Sequence, residues 1–447
     1  MGRDKMFRNE PVGAASTGWS DMLAGAPAHV SGTRGVPRAP QRIVRAGFIP
    51  LIDMAVLVAA ERQGFARREG LSLELVREVS WSNIRDRLAV RQFDVAHMLS
   101  PMPVAAQIGV GSNPTPCFTP FALGGGGNAI TLSVALYREM QQLAGLNGTE
   151  GALANARALQ AVIARRNRDG ARPLVLAMTY PFSSHNYELR FWLAAGGINP
   201  DRDVTLIVTP PPMTANALAS GTIDGFCVNA PWNVIAVESG VGRIVATKAD
   251  IWPAAPEKVL GVSPAWAGAN DETLMRLIVA LDMAARWCDV SGNHADLADM
   301  LADPACIGAE PEMIRRLLRG ELSVDPAGQA RRIDSYVTYH SGGANFPWLS
   351  QARWIYSQMI RWGQAQWDPA RLNNVAAAYR PDIYGAALSG RVQDIPVAAS
   401  KPEGTATPTV VATNGGSLKL ASQPFLDGRM FDPEDLPGYV RGFPIRS

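Results

Sequence analysis

The chain has 447 residues, of which 47% are hydrophobic and 18% charged, which is enough for two or three packed units of a globular protein. Its formal charge is only +2, with histidines neutral, and no run of five or more like charges occurs. This excludes the basic field that direct nucleic-acid binders use, so no direct nucleic-acid partner is expected.

The first 42 residues contain no long apolar run, no twin arginine and no lipobox-like cysteine. We therefore expect residues 1–42 to be a flexible segment without an export signal, and the protein to be cytoplasmic. A signal hidden by a mis-assigned start codon would make it periplasmic instead. No run of about 20 apolar residues occurs, so no membrane span is predicted.

Strand-like and helix-like stretches then alternate along the chain, as in an α/β protein. The strand-like runs are 41–50, 71–79, 93–100, 173–178, 204–208 and 222–228. The helix-like runs are 54–70, 82–90, 103–109, 185–197, 213–221, 271–290, 310–320 and 347–363. Gly70 is the predicted stop of the first helix, and 399–417 has the composition of a linker.

Sequence motifs of enzymes and metal sites are missing from the chain. It has no G-x-S-x-G, H-E-x-x-H, G-x-x-x-x-G-K-[ST] or G-x-G-x-x-G, and its five histidines lack metal-ligand spacing. The cysteines are far apart, without a C-x-x-C pair, and are expected to be buried and inert: Cys117, Cys227, Cys288 and Cys306. We predict no catalytic residues, no metal and no cofactor.

Open α/β folds bind ligands where strands run into helix N-termini, and three loops fit that description: 80–82, 181–185 and 209–213. A flat, weakly hydrated anion bound at these loops would be stabilised by an aromatic face, side-chain donors and a compact cation. Trp81, His185 and Lys258 could supply these groups. Each residue also has an ordinary structural interpretation. Trp81 could be a packing residue, His185 a satisfied histidine at a helix start, and Lys258 a solvated surface lysine.

Several ordered stretches together carry a family resemblance: "GFIPLIDMAVLVAAERQGFARREGL", "SWSNIRDRLAV", "FDVAHMLSPMP", "GNAITLS", "HNYELRFWLAAGGINPDRDV", "GTIDGFCVNAPWN", "IWPAAPEKVLGV" and "FPWLSQARWIYSQMIRWG". From about 43 to 385 the chain resembles the nitrate/bicarbonate-binding proteins of ABC transporters and their cytoplasmic relatives. A short stretch near the C-terminus, "PFLDGRMFDPEDLPGYV", resembles them as well. The resemblance implies an α/β, two-lobed, type II periplasmic-binding-protein-like fold with the ligand cleft between the lobes.

The same resemblance implies a domain layout. Lobe 1 would hold 43–130 and 257–390, including the C-terminal helices, and lobe 2 would hold 131–256. The crossings would be "AITLS" and "KVLGV", and 391–447 would form a linker and a packed C-terminal tail.

Carried over by position, the family's anion-site tryptophan, histidine and lysine fall on Trp81, His185 and Lys258. The lysine is the mark of the nitrate branch, whereas the bicarbonate branch has a carboxylate there and binds calcium. "PEKVLG" places Glu257 beside Lys258, so a one-residue slip would reverse the assignment; the ungapped "KVLG" favours the lysine. Asn128 is the nearest candidate for the family's side-chain amide.

The resemblance and the missing export signal together lead to a functional hypothesis. The chain is expected to be a cytoplasmic nitrate/nitrite sensor that holds an RNA-binding antiterminator of nitrate-assimilation genes and releases it when the anion binds. The alternative is the substrate-binding subunit of a nitrate or bicarbonate ABC transporter. Protonation of His185 is expected to tune affinity near neutral pH.

Overall fold

A computed structural model describes residues 41–111 and 115–447, so nearly all of the expected flexible segment 1–42 lies outside the described residues. The strands are β1 (Arg42–Phe48), β2 (Leu71–Arg77), β3 (Val95–Leu99), β4 (Ala122–Gly126), β5 (Asn128–Ser133), β6 (Leu174–Met178), β7 (Val204–Val208), β8 (Gly225–Asn229), β9 (Gly242–Thr247), β10 (Pro256–Val262), β11 (Glu321–Ser323), β12 (Ala330–Arg332), β13 (Val337–Thr338), β14 (Thr409–Thr413) and β15 (Gly416–Leu420).

Helices connect these strands and form most of the C-terminal third. They are α1 (Ala55–Arg62), α2 (Phe65–Arg68), α3 (Trp81–Ala89), α4 (Pro101–Gln107), α5 (Val134–Ala144), α6 (Ala152–Arg168), α7 (Ser184–Ala195), α8 (Thr214–Ala219), α9 (Trp232–Glu238), α10 (Lys248–Ile251), α11 (Pro264–Ala269), α12 (Asp271–Asp289), α13 (His294–Ala302), α14 (Pro311–Leu318), α15 (Leu349–Arg361), α16 (Leu372–Ala377), α17 (Pro381–Leu388) and α18 (Leu436–Arg441).

Two larger sheets organise the fold. The first has six strands in the order β13-β4-β10-β3-β1-β2, and the second has five in the order β7-β6-β8-β5-β9. β4 of the first sheet runs into β5 of the second through the single residue Gly127, and the return passes from β9 through α10 to β10. The chain therefore changes sheet twice, near the two crossings expected from the sequence; the lobe boundaries themselves stay a prediction.

The predicted long helix over 54–70 is shorter and broken in the structure. α1 ends at Arg62, and Gly64 adopts a left-handed conformation with φ 73° before α2 begins. Gly70, at φ 74°, then ends the helical segment as predicted. Glycine tolerates these dihedral angles without steric cost, so the chain turns twice within seven residues and feeds directly into β2.

The expected linker over 399–417 is wrong in part. β14 and β15 form an antiparallel hairpin there, and the buried Lys401 and Glu403 make an ion pair just before it. Composition alone missed this because the Thr, Gly and Pro content that suggests a linker also suits a hairpin. Beyond the hairpin, Phe425 and Phe443 are buried against Phe191 of α7.

The interior is apolar around both sheets and holds all four cysteines as free, buried thiols, as the sequence predicted. Burial raises the pKa of Cys117 to about 12, which makes that thiol unreactive at neutral pH. In the part of the chain that the structure describes, no helix is long and apolar enough to cross a membrane.

Candidate functional site

A β-bulge on β10 brings two neighbouring charged residues into one place. Pro256 pairs with Gly125 of β4 and Lys258 with Gly124, so Glu257 is an extra residue that the partner strand does not match. Successive side chains of a regular strand point to opposite faces, but a bulge allows two in a row to share a side. Glu257 and Lys258 are both fully buried, and their side chains form an ion pair.

The bulge brings together both residues that the sequence offered for the family's lysine position, and the assignment of that position to Lys258 stays a prediction. Both side chains lie in the same polar cluster, so neither excludes the other. The interpretation of Lys258 as a surface lysine is wrong, because its exposure is 0%.

Lys258 is held from the side of the first sheet. Its Nζ donates to Asp53 Oδ2 at 2.8 Å and to Glu257, and Asp53 Oδ1 lies 2.9 Å from His97 Nε2. Burial alone would raise the pKa of Asp53, but Lys258 and His97 outweigh it and hold the pKa below its usual value. Asp53 is therefore ionised, and burial keeps the pKa of His97 below its usual value, so His97 is neutral.

The second sheet supplies a matching set of contacts to Glu257. Its Oε2 accepts from Lys248 Nζ at 2.5 Å, Ser184 Oγ at 2.7 Å and Asn128 Nδ2 at 2.6 Å. Burial would raise the pKa of Glu257, but Lys248 and Lys258 hold it well below its usual value. The carboxylate thus links the two sheets as an ionised acceptor.

Trp81 begins α3, whose N-terminus is capped by Ser80: the Ser80 hydroxyl accepts from the backbone N–H of Asn83 at 3.2 Å. The cap fixes the start of the helix and directs the indole inward, where only 1% of it is exposed. The ring centroid lies 5.5 Å from that of His97 and 5.4 Å from Lys258 Nζ. Its Nε1–H is buried and makes no hydrogen bond within the described residues.

His185 approaches the same ion pair from α7. Its Nδ1 lies 3.1 Å from Thr179 Oγ1, and its Nε2 lies 3.5 Å from Glu257 Oε1 and has no hydrogen-bond partner among the described residues. A lone pair on Nε2 would face a carboxylate, so the favoured tautomer carries its hydrogen on Nε2 and accepts from Thr179 at Nδ1. Burial lowers the pKa of His185 to about 3, which contradicts the expectation that it titrates near neutral pH.

Asn128 lies in the cluster, but its side-chain amide, predicted to contact the ligand, bonds to other protein groups. Its Nδ2 donates to Glu188 Oε2 at 2.9 Å and to Glu257 Oε2 at 2.6 Å, and its Oδ1 accepts from Asn229 Nδ2 at 2.9 Å. Both amide hydrogens are therefore used within the protein. The geometry makes Asn128 a bridge between two carboxylates and leaves it no hydrogen for a ligand.

The structure brings Trp81, His185 and Lys258 together with Glu257, and it adds charged residues that sequence reasoning missed: Asp53, Glu188 and Lys248. Ser100, a polar residue, was missed too: its buried hydroxyl has no hydrogen-bond partner in the part of the chain that the structure describes, and its backbone N–H donates to the Glu257 carbonyl at 2.9 Å. The scarcity of lysine was the available signal: Lys248 and Lys258 are two of only five lysines in the chain. No group of three or more residues suited to holding a metal is found in the described residues.

Two sheets joined by crossing strands, with an enclosed polar centre between them, are the architecture of a protein of the periplasmic-binding type. The model of the NMT1-like family matches residues 38–302. The chain therefore belongs to the NMT1-like family.

Named relatives agree with this assignment. The chain is 30% identical to the nitrate/nitrite binding protein NrtA of Synechococcus elongatus, with 93% of this chain and 89% of the relative covered. It is 32% identical to the nitrate import ATP-binding protein NrtC of Synechocystis sp. PCC 6803, with 89% of this chain covered, but it spans only 55% of that relative's length.

A solved structure confirms the fold. The periplasmic nitrate-binding protein NrtA from Synechocystis PCC 6803 superimposes with a TM-score of 0.79 and 26% identity, covering 91% of this chain and 99% of that one. The α/β periplasmic-binding-protein-like fold expected from the sequence is thereby confirmed.

Proposed function

We propose that the chain binds nitrate or nitrite at the Lys258–Glu257 ion pair, as a substrate-binding protein without catalytic activity. The observation that carries this proposal is a pair of buried N–H groups without a hydrogen-bond partner in the described residues, Trp81 Nε1 on α3 and His185 Nε2 on α7, whose rings lie beside that ion pair. A buried donor without an acceptor costs about 1–3 kcal/mol. An anion that accepts from both donors relieves this cost.

The arrangement favours a small ligand that only accepts hydrogen bonds. The indole and imidazole N–H groups are donors, and the Lys258 ammonium has three hydrogens, two of which are used by Asp53 and Glu257. Nitrate and nitrite offer only acceptors. The NrtA relatives, which are nitrate/nitrite binding proteins, support the same ligand class.

Bicarbonate fits this site less well. Its hydroxyl needs an acceptor, and the oxygens of Glu257 are already occupied by Lys258 on one side and by Lys248, Ser184 and Asn128 on the other. A calcium ion beside the ligand would also have to compete with two ammonium groups for that carboxylate. We therefore expect bicarbonate to bind more weakly than nitrate and nitrite.

Isothermal titration of the full chain with nitrate, nitrite and bicarbonate tests the proposal. Trp81→Phe keeps an aromatic ring and removes the N–H, and a hydrogen bond to a charged group is worth about 1.5–3 kcal/mol, so affinity falls about 10- to 100-fold. The matched control is Trp367→Phe, at an indole that is 37% exposed and far along the chain, which leaves affinity unchanged. Equal affinity in the parent and Trp81→Phe removes the indole from the site, and no binding of either anion rejects the proposal.

Two biological settings use the same binding step. The sequence resemblance favours a cytoplasmic sensor that holds an RNA-binding antiterminator and releases it on binding nitrate or nitrite. The match to the periplasmic NrtA favours the binding subunit of an ABC transporter. In both settings the ligand acts by stabilising one conformation over another.

Cell fractionation and affinity isolation separate the two settings. Full-length protein in the cytosol, carrying a small RNA-binding protein that only nitrate or nitrite elutes, supports the sensor. Recovery from the periplasm with a processed N-terminus supports the transporter subunit.

A further inference from the structure

The buried cluster carries more negative than positive side chains. Three carboxylates, Asp53, Glu188 and Glu257, share two ammonium groups, Lys248 and Lys258, and each of the five is at most 3% exposed. With both neighbouring histidines neutral, the fully ionised cluster has a net charge of −1. Adding a monoanion to it would place two uncompensated negative charges in the interior, which is unfavourable in a low dielectric.

The three carboxylates are not held equally. Asp53 has Lys258 and His97, and Glu257 contacts both ammonium groups. Glu188 has only Lys248, whose Nζ lies 3.1 Å from Glu188 Oε1 and 2.5 Å from Glu257 Oε2. Glu188 is therefore the carboxylate whose negative charge is least compensated by neighbouring ammonium groups.

The two carboxylate oxygens of Glu188 differ in their hydrogen bonds. Oε2 accepts from Asn128 Nδ2 at 2.9 Å, whereas Oε1 makes no aligned hydrogen bond despite its ion pair with Lys248. Other titratable groups that interact with Glu188 include Glu257 of β10, a carboxylate, and the fully buried Cys227 and Tyr336.

These neighbours explain why Glu188 differs from the other carboxylates. Burial raises its pKa, Lys248 only partly offsets that, and Glu257 adds to the increase. The thiol of Cys227 and the phenol of Tyr336 are neutral, because burial raises the pKa of each. Among the residues that the structure describes, Lys248 is the one cation that forms an ion pair with Glu188.

We propose, building on nitrate or nitrite binding at this site, that Glu188 takes up one proton from solvent as the anion enters, and that this makes Glu188 a specificity-determining residue. The reaction balances as protein plus anion plus one proton giving the loaded, proton-bearing protein. The proton resides on the Glu188 carboxyl group, and no covalent bond other than O–H forms. One titratable carboxylate offsets one negative charge, so the site admits monoanions and rejects dianions such as sulfate.

Proton uptake is read directly by titrating nitrate in pairs of buffers with different ionisation enthalpies, at several values between pH 7 and pH 9. In the parent protein we expect uptake to rise with pH towards one proton per nitrate. The dissociation constant then rises by up to about tenfold per pH unit. Sulfate neither binds nor displaces nitrate.

Glu188→Gln keeps the shape and an acceptor for Asn128 but cannot take the proton. We expect its uptake to be near zero and its affinity to be flat across the same pH range. Glu74→Gln, at an exposed ion pair with Arg45, is the matched control and behaves as the parent does. His185→Gln retains the uptake, which separates Glu188 from the nearest imidazole.

The parent titration alone keeps the proposal falsifiable if Glu188→Gln fails to fold. Nitrate binding without proton uptake at any pH overturns this inference while leaving the proposed function intact. Unchanged uptake in a folded Glu188→Gln also overturns it. Absence of nitrate and nitrite binding at every pH instead overturns the proposed function.

Discussion

Replacing Lys258 with methionine removes one buried charge at nearly constant volume. The ammonium is fully buried and contacts Asp53 and Glu257, so Lys258→Met leaves two carboxylates short of a partner. Breaking a buried ion pair from one side costs about 3–5 kcal/mol. For a chain of about 400 ordered residues, an unfolding entropy of about 2.1 cal/mol/K per residue gives about 0.85 kcal/mol/K, so the melting temperature falls by about 4–6 °C.

The loss depends on pH in a direction set by the carboxylates. Asp53 and Glu257 have pKa values below normal in the folded parent, so their contribution is present above an unfolded pKa of about 4 and is lost as pH falls through the lower folded value. In Lys258→Met this contribution is already reduced, because a carboxylate that has lost its ammonium partner is protonated more easily. The stability gap between parent and variant is therefore widest at neutral pH and narrows below about pH 5.

Thermal and denaturant unfolding at neutral and acidic pH measure this gap. Adding Asp53→Asn to Lys258→Met removes the stranded carboxylate and recovers more than about 1.5 kcal/mol, because coupled sites are not additive. Lys419→Met changes an exposed lysine and stays within about 0.5 kcal/mol of the parent. A single variant as stable as the parent, or a double variant no better than the single one, would refute the assignment of Lys258 to a buried charge cluster.

Three further changes test other parts of the structure. His185→Gln weakens nitrate binding measured by calorimetry, and because the pKa of His185 is about 3 it leaves the slope of affinity against pH above 6 unaltered. Tyr180→Phe removes the 2.9 Å hydrogen bond that the Tyr180 hydroxyl accepts from Arg85 Nη1 of α3. Losing this bond costs about 1 kcal/mol, so we expect the ligand dissociation rate in stopped-flow experiments to rise about fivefold. An unchanged rate means that this contact does not hold the site closed. Phe425→Ala lowers the free energy of unfolding by about 3–5 kcal/mol, while the exposed Val397→Ala leaves it unchanged.

Local sequence patterns predicted much of the framework and part of the site. The helix that follows the 80–82 loop and the apolar strand runs depend on neighbouring residues, which sequence patterns can assess. The placement of His185 and Lys258 was inferred from resemblance to whole relatives, and the structure brings both to the Glu257 carboxylate. Their role as ligand contacts stays a prediction that the titrations decide.

Long-range features were beyond the reach of such patterns. The bulge at Glu257 arises from pairing with β4, more than 130 positions earlier, and no local signal distinguishes it from regular alternation. Lys248 and Glu188 likewise meet only after the second sheet and its flanking helices are assembled. Composition also suggested a linker where Lys401 and Glu403 form a buried ion pair, because charges are expected outside unless a partner is known.

Burial of the donors means that an anion reaches them only if the two sheets separate. Ile52 N–H donates to the Ala230 carbonyl at 2.9 Å, and Trp232 Nε1 donates to the Pro50 carbonyl at 3.1 Å, so contacts besides the charged cluster hold the closed arrangement together. Separation would pull Lys248 and Glu188 away from Glu257 and Lys258, exposing charges that water then stabilises. Closure on an anion must reverse that hydration, and the proton proposed for Glu188 is what allows the cluster to close with an added negative charge.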